Sequence, residues 1–95
     1  MEQLSTMLER ELTVSNRLGL HARATAKLVQ LLSSYRCNAT LAAKGREVNA
    51  KSIMGVMLLA AGQGTTVVLR VDGDDEAQAM QALVELFERR FDEDS

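Results

Sequence analysis

The chain has 95 residues, 46% of them hydrophobic, which is enough for one domain with a buried core and too few for two. Its formal net charge of −2 and its scattered basic residues exclude the electrostatic signature of a nucleic-acid-binding protein. A single cysteine, Cys37, and a single histidine, His21, exclude an intrachain disulfide and a metal site built from cysteine and histidine alone.

Neither a membrane span nor a targeting segment is expected. The apolar run VMLLAA at residues 56–61 is far shorter than the roughly 20 residues that cross a bilayer. The N-terminal stretch MEQLSTMLERE is acidic and lacks the charged-then-apolar pattern of a signal peptide. We therefore expect a cytoplasmic protein that does not insert into the membrane. Met7 is a candidate alternative start, which would make residues 1–6 an N-terminal extension.

The first part of the chain predicts a strand, a loop and a helix. Residues 8–15, LERELTVS, alternate near their end as a strand does. Residues 16–20 are a predicted loop, in which Gly19 marks a tight or positive-φ position. From residue 22 to about residue 35 the apolar residues recur at helical spacing, at Ala22, Ala26, Val29 and Leu32, with Leu28 and Leu31 widening the stripe.

The middle of the chain predicts a hairpin and a short helix. The hairpin comprises strands at residues 37–42 and 46–49, joined by a turn through Lys44-Gly45, although alanine-rich strands have weak propensity. Residues 52–59 form a predicted apolar helix, for which Ser52 is a suitable N-cap. Met57 in this helix is expected to face the core.

A strand at residues 65–71 and a last helix complete the predicted order. Acidic residues at 74–76 in the first turn of this helix and arginines at 89–90 in its last turn match the helix dipole. Residues 92–95, DEDS, are expected to be a frayed, solvated tail. The order β-α-β-β-α-β-α favours an α+β fold, with one four-stranded antiparallel sheet and three helices on one face. The apolar positions of the last helix are Ala77, Met80, Val84, Phe87 and Phe91.

His21 stands where the predicted loop meets the first helix, and its surroundings are those of an anion site. The backbone N–H groups of Ala22, Arg23 and Ala24 have no acceptor within the helix, so they present donors and a partial positive charge. The Arg23 guanidinium adds a planar donor fork suited to phosphate. The helix N-terminus and Arg23 both favour a neutral, nucleophilic imidazole and stabilise a dianionic group attached to it. The alternatives are a capping or surface histidine and a surface arginine.

Two stretches, NRLGLHARATAKL at residues 16–28 and AKSIMGVMLLAAGQGTTVVL at residues 50–69, closely resemble the HPr family. Its members are histidine-containing phosphocarriers of the bacterial phosphoenolpyruvate-dependent phosphotransferase system. The resemblance covers about residues 7–91 and implies an open-faced β-sandwich with three helices on one side. It implies that His21 accepts a phosphoryl group on Nδ1 from phosphorylated enzyme I and passes it to a histidine of an enzyme IIA-type protein. Arg23 matches the arginine that supports the transferring group, and no cofactor is implied.

Two positions in the resembling motifs raise further questions. Ala24 stands where family members commonly carry proline, which pre-sets helical geometry in the first turn, so a looser backbone is expected here. Ser52 matches the serine that a dedicated ATP-dependent kinase, HPr kinase/phosphorylase, modifies in many bacteria. Alternatively, Ser52 serves only as the N-cap of the predicted helix. The two roles are compatible, since a phosphate would face the helix N-terminus favourably while adding negative charge to the docking surface.

The resemblance also implies a docking surface beside the active histidine. Ile53 and Met54 match exposed family positions, and with Ala22 and Ala26 they would form an apolar patch. Methionine suits a surface that must fit more than one partner. Lys27 would add charge at the rim, or alternatively is a solvated residue on the helix face. We expect the carrier to be a monomer.

The leading hypothesis is a phosphocarrier, a reactant protein rather than a free-standing enzyme. One alternative is a regulatory protein-binding module of the same fold, in the nitrogen-related phosphotransferase branch, that signals by its phosphorylation state. A second is an unrelated ferredoxin-like ligand-binding domain, which the long last helix and the short second helix fit less well.

Overall fold

The computed structural model describes residues 7–94 and confirms the predicted order of elements. The four strands form one antiparallel sheet in the order β1-β4-β2-β3. No helix within residues 7–94 has both the length and the hydropathy needed to cross a bilayer. The extension predicted for residues 1–6 lies outside the described residues. The elements are β1 (Leu8–Thr13), α1 (Ala22–Ser33), β2 (Asn38–Ala43), β3 (Arg46–Asn49), α2 (Ile53–Leu58), β4 (Thr66–Asp72), α3 (Glu76–Glu88) and a 3₁₀ turn at Arg90–Asp92.

The sheet buries one face and leaves the other open to solvent. In β4, Val67, Leu69 and Val71 are fully buried, and the residues between them are partly exposed. The open face carries an ion-pair network, in which Arg70 lies 2.8 Å from Glu9 and 2.7 Å from Glu47. This alternation is what an antiparallel sheet with helices on one side requires. The α+β class with a single covered face is therefore confirmed.

The three helices cover the buried face of the sheet. α3 packs on β1 and β4, and α1 packs on α2 and α3. The buried face of α1 is centred differently from the predicted stripe, because Ala24 and Thr25 are buried while Ala22 and Ala26 are exposed. The helix also ends at Ser33, two residues before the predicted end. Ala22 and Ala26 therefore lie on the protein surface, on the helix that His21 caps.

The C-terminal end of α3 differs from the prediction. The helix ends at Glu88, so Arg89 and Arg90 lie beyond it and not in its last turn. Phe91 is nevertheless fully buried, with its ring centroid 4.9 Å from that of Phe87. The chain reaches this buried position through a turn with left-handed backbone and not by continuing the helix.

Two residues of the tail predicted to be frayed and solvated have side-chain partners within the fold, although Asp92 is exposed as predicted. Asp92 accepts a hydrogen bond from Arg89 Nε at 2.8 Å and belongs to the 3₁₀ turn. The Glu93 side chain is only 12% exposed and contacts residues 77 and 72 positions away in sequence. Asp94 is exposed, and Ser95 lies outside the described residues. The tail fails to fray because its acidic groups have partners within the fold.

The loop before α1 is held against the segment that follows α2. Gly19 has φ +69°, which confirms the predicted positive-φ position. A β-carbon on Gly19 would lie 2.7 Å from the Ala61 carbonyl oxygen and 2.8 Å from the Gly62 Cα. Leu20 N donates to the same Ala61 oxygen at 2.9 Å. Only glycine permits this close approach, which sets the direction in which the chain enters α1.

We expect Gly19→Ala to destabilise the protein more than Gly45→Ala. Both glycines have left-handed φ, where a β-carbon costs about 1–2 kcal/mol. At Gly45 no atom lies within 4 Å of the added carbon, whereas at Gly19 the contact with Ala61 adds an overpacking cost of about 1–3 kcal/mol. Chemical denaturation of the two variants measures the difference. Equal losses of unfolding free energy would contradict the close approach at Gly19.

Candidate active site

His21 is the N-cap residue of α1. Its backbone is extended, with φ −78° and ψ −177°, and its carbonyl accepts the first helical hydrogen bond from Thr25 N at 2.8 Å. The backbone N–H groups of Ala22, Arg23 and Ala24 therefore precede the first helical bond, and no acceptor for them lies within residues 7–94. This arrangement brings together the histidine and the three predicted phosphate-binding amides at one helix end.

The imidazole ring of His21 is partly exposed and hydrogen-bonded through one nitrogen. Its side chain is 28% exposed, so a partner molecule has access to the ring. Nε2 lies 2.6 Å from Glu93 Oε2, and Nδ1 has no hydrogen bond within the described part of the chain. Because an ionised carboxylate only accepts, a neutral ring in this contact carries its proton on Nε2 and its lone pair on Nδ1.

The Glu93 carboxylate is held from its other side by a buried amide. Asn16 Nδ2 donates to Glu93 Oε1 at 3.0 Å and to the Gly19 carbonyl at 2.8 Å, and Asn16 is fully buried. Desolvation raises the pKa of Glu93, but the hydrogen bonds from Asn16 and His21 and the charges of His21 and Arg23 outweigh it. The pKa of this carboxyl therefore lies below its ordinary value. Glu93 is accordingly ionised at neutral pH.

An open cleft surrounds these groups and contains charges of both signs. The Arg23 side chain is exposed and forms no hydrogen bond within residues 7–94, so its guanidinium remains available to a ligand. Cationic and anionic side chains face one another across the cleft, which keeps it polar without making it strongly positive. The lining residues are Arg17, Leu18, His21, Ala22, Arg23, Lys27, Asp92, Glu93 and Asp94.

The predicted docking residues lie on adjacent helices and are exposed. Ala22 and Ala26 are on the outer side of α1, and on α2 Ile53 is 48% and Met54 78% exposed. The prediction that Met57 is a core residue is wrong, because its exposure is 43%. In a helix of six residues only Val56 is buried, so the core needs one side of α2 and the other side remains free.

Lys27 has partners within the chain. Its Nζ donates to the Phe91 carbonyl at 2.8 Å and lies 3.5 Å from an Asp92 carboxylate oxygen. The predicted role as free charge at the rim of a docking surface therefore competes with these two contacts. In the structure Lys27 ties α1 to the C-terminal turn.

Ser52 caps α2 as predicted. Its Oγ accepts a hydrogen bond from Gly55 N at 3.0 Å, which satisfies one donor at the helix start. The side chain is only partly buried, so the hydroxyl lies near the surface and within the same exposed region as Ile53 and Met54.

Two residues in contact with the site were absent from the sequence prediction. Asn16 was part of a loop with no individual role, and Glu93 was part of an acidic tail expected to be solvated. One signal was available for the tail: Phe91, a large apolar residue beyond the arginine pair, continues the apolar spacing of α3. A buried Phe91 holds the following residues near the domain.

Comparison with known proteins identifies relatives along nearly the whole chain. A family described as "PTS HPr component phosphorylation site" matches residues 8–89. A protein named phosphocarrier protein HPr from Xylella fastidiosa (strain Temecula1) is 72% identical over 89 residues, which is 94% of this chain and 100% of the relative. The protein of the same name from Cupriavidus necator is 55% identical over 87 residues, 92% of this chain and 98% of the relative.

A solved structure and a more distant relative complete the comparison. The crystal structure of HPr-C-His from Thermoanaerobacter tengcongensis superposes with a TM-score of 0.90 at 42% identity, covering 93% of this chain and 99% of that one. A protein named phosphocarrier protein NPr from Shewanella violacea is 39% identical over 90 residues, 95% of this chain and 99% of the relative. These matches exclude the ferredoxin-like alternative for the fold.

Proposed function

The chain belongs to the HPr family of phosphocarriers of the phosphotransferase system, and we propose that His21 is the residue that carries the phosphoryl group. The observation that supports this role is the partly exposed imidazole at the start of α1, beside three backbone N–H groups that have no acceptor in the described part of the chain. His21 also lies within the residues that match the family's phosphorylation-site region. It is the only histidine in the chain.

The chemistry proposed at His21 is a direct phosphoryl transfer. The Nδ1 lone pair attacks phosphorus, the Nδ1–P bond forms, and the bond from phosphorus to the donor breaks with its electron pair remaining on the donor atom. The equatorial oxygens carry negative charge through this step, so fixed donors stabilise it. The proposed donors are the amides of Ala22, Arg23 and Ala24 at the start of α1 and the Arg23 guanidinium, which lines the same cleft as His21. The reverse step transfers the group to the next acceptor.

Phosphorylated enzyme I is the proposed donor, and a histidine of an enzyme IIA-type protein is the proposed acceptor. The exposed apolar side chains on α1 and α2 support a shared docking surface, since they adjoin the site and include flexible methionines. We define this docking surface by Ala22, Ala26, Ile53, Met54 and Met57. Successive partners would bind it in turn, with the carrier acting as a cytoplasmic monomer.

Ser52 is a proposed regulatory site for HPr kinase/phosphorylase. Its hydroxyl is bonded to Gly55 N at the start of α2, and the neighbouring residues Ile53 and Met54 belong to the docking surface. A phosphate on Ser52 would add a charge of about −2 at that surface. Such a charge disfavours docking of a partner whose contact face is apolar or acidic.

A regulatory role in the nitrogen-related branch remains the alternative function. The match to the NPr protein of Shewanella violacea supports this possibility, but it is weaker than the matches to proteins named HPr. Binding of partners irrespective of His21 phosphorylation, measured by pull-down with wild type and His21→Ala, would favour the alternative.

We expect incubation with enzyme I and phosphoenolpyruvate to add one acid-labile phosphate to the wild-type protein and none to His21→Ala. The variant lacks the only imidazole in the chain and therefore has no ring nitrogen that could bond to phosphorus. Intact-mass measurement before and after mild acid treatment detects the adduct, and circular dichroism confirms that the variant is folded. A folded wild-type protein that stays unmodified with a matched enzyme I would contradict the proposal.

We expect Ser52→Asp to slow phosphoryl transfer from enzyme I by about tenfold or more, because it places a negative charge in the docking surface. Ser52→Asn is the matched control, since asparagine caps a helix as well as aspartate does but carries no charge. Rapid-quench kinetics at low concentrations of phosphorylated enzyme I measure both rates. Transfer by Ser52→Asp as fast as by Ser52→Asn would remove the inference of regulation.

A further inference from the structure

The C-terminal turn has an unusual backbone for residues with side chains. Arg90, Phe91 and Asp92 have φ values of 56°, 56° and 61°, all in the left-handed region. This backbone conformation is unfavourable for a residue that carries a β-carbon. Strain of this kind persists only where the surrounding structure holds it, and it is concentrated at functional sites. We therefore expect surrounding contacts to hold this turn in place, and the turn to position a functional group.

Packing and polar contacts hold the turn in place. Phe91 is fully buried against Phe87, and Lys27 of α1 donates to its carbonyl at 2.8 Å. Asp92 accepts from Arg89 at 2.8 Å and pairs with Lys27 at 3.5 Å. These contacts come from two helices, so the turn is part of the domain and not an extension of it.

The consequence of the turn is the position of Glu93. One carboxylate oxygen lies 2.6 Å from His21 Nε2, and the other accepts from Asn16 Nδ2 at 3.0 Å. Asn16 Nδ2 donates to two acceptors, while its Oδ1 is buried and has no hydrogen-bond partner among residues 7–94. A buried oxygen without a hydrogen bond is unfavourable, so the orientation of this amide is maintained at the expense of stability.

We propose that Glu93 is a positioning residue for phosphoryl transfer at His21. By accepting the Nε2–H it orients the ring and keeps the lone pair on Nδ1, the nitrogen that would bond to phosphorus. This inference rests on the proposed function of His21 and extends it to a carboxylate that touches neither the phosphoryl group nor its donor. Glu93 acts through the imidazole alone.

The carboxylate also balances charge during the transfer. When Nδ1 bonds to phosphorus the ring gains positive character, and the Nε2 proton stays between the ring and Glu93. The paired carboxylate stabilises that ring, just as a buried carboxylate stabilises an imidazolium in other histidine–carboxylate pairs. When the phosphoryl group leaves with the acceptor, the electron pair returns to Nδ1 and the contact is unchanged.

Two variants separate the orienting and the charge-balancing roles. Glu93→Ala removes both acceptor and charge, and we expect it to lower the transfer rate constant at saturating phosphorylated enzyme I by about tenfold. Glu93→Gln retains an acceptor without the charge. We expect it to keep the transfer rate constant within about threefold of wild type and to retain a slowly exchanging His21 Nε2–H resonance in NMR spectra, which Glu93→Ala loses with its acceptor. Asp94→Asn is the matched control, as it neutralises an exposed neighbouring acid of the same cleft.

The other charges of the cleft remain the same in all three variants. They are the charges of Arg17, Arg23, Lys27 and Asp92. Asp94 is changed only in the control. Loss of the slowly exchanging Nε2–H resonance in Glu93→Ala but not in Asp94→Asn therefore reports the contact between Glu93 and His21. NMR spectra of the three variants confirm that each is folded.

A Glu93→Ala variant with a wild-type rate constant and a wild-type Nε2–H resonance would overturn the positioning role. That result differs from failure of the proposed function, in which wild-type protein itself accepts no phosphate. A rate loss in Glu93→Ala with an unchanged Nε2–H resonance would also overturn the positioning role, leaving only a packing effect.

Discussion

The start of α1 is the feature on which the rest of the site depends. Three backbone N–H groups there have no acceptor within the described residues, and His21 is the residue that immediately precedes them. Such a helix end favours negative charge by about 0.3–1 kcal/mol when exposed and by up to about 2 kcal/mol when partly buried. This range stabilises a bound phosphoryl group without holding it permanently, which a carrier requires. The sheet, the turn at Gly19 and the burial of α1 all serve to place this helix end at the surface.

Most of the fold was predictable because its signals are local. The apolar alternation of β4, the helical spacing in α1 and α3, and the Ser52 cap each lie within a few residues of sequence. Errors arose where burial depends on neighbours that sequence spacing does not reveal. Met57 was predicted to face the core, yet it is exposed because the core contacts only one side of its helix. Ala22 and Ala26 fit the apolar spacing of α1 and are exposed, as expected for docking residues. Their exposure leaves an apolar surface beside His21.

The candidate site was predictable in part. His21, Arg23 and the amides of α1 are contiguous in sequence, so the loop-to-helix junction identifies them together. Glu93 joins the site from 72 residues away. The apolar Phe91 indicates that the tail stays near the domain, but nothing in the sequence indicates that Glu93 contacts His21. The placement of Glu93 depends on a left-handed turn at non-glycine residues, a conformation that residue propensities disfavour and only tertiary packing explains.

¹H–¹⁵N NMR spectra recorded before and after phosphorylation test most directly whether the amides at the start of α1 receive the phosphoryl group on His21. We expect the amide proton resonances of Ala22, Arg23 and Ala24 to move strongly downfield and to exchange more slowly with solvent when the adduct forms. Amides that stay unchanged while His21 is fully phosphorylated would contradict this expectation.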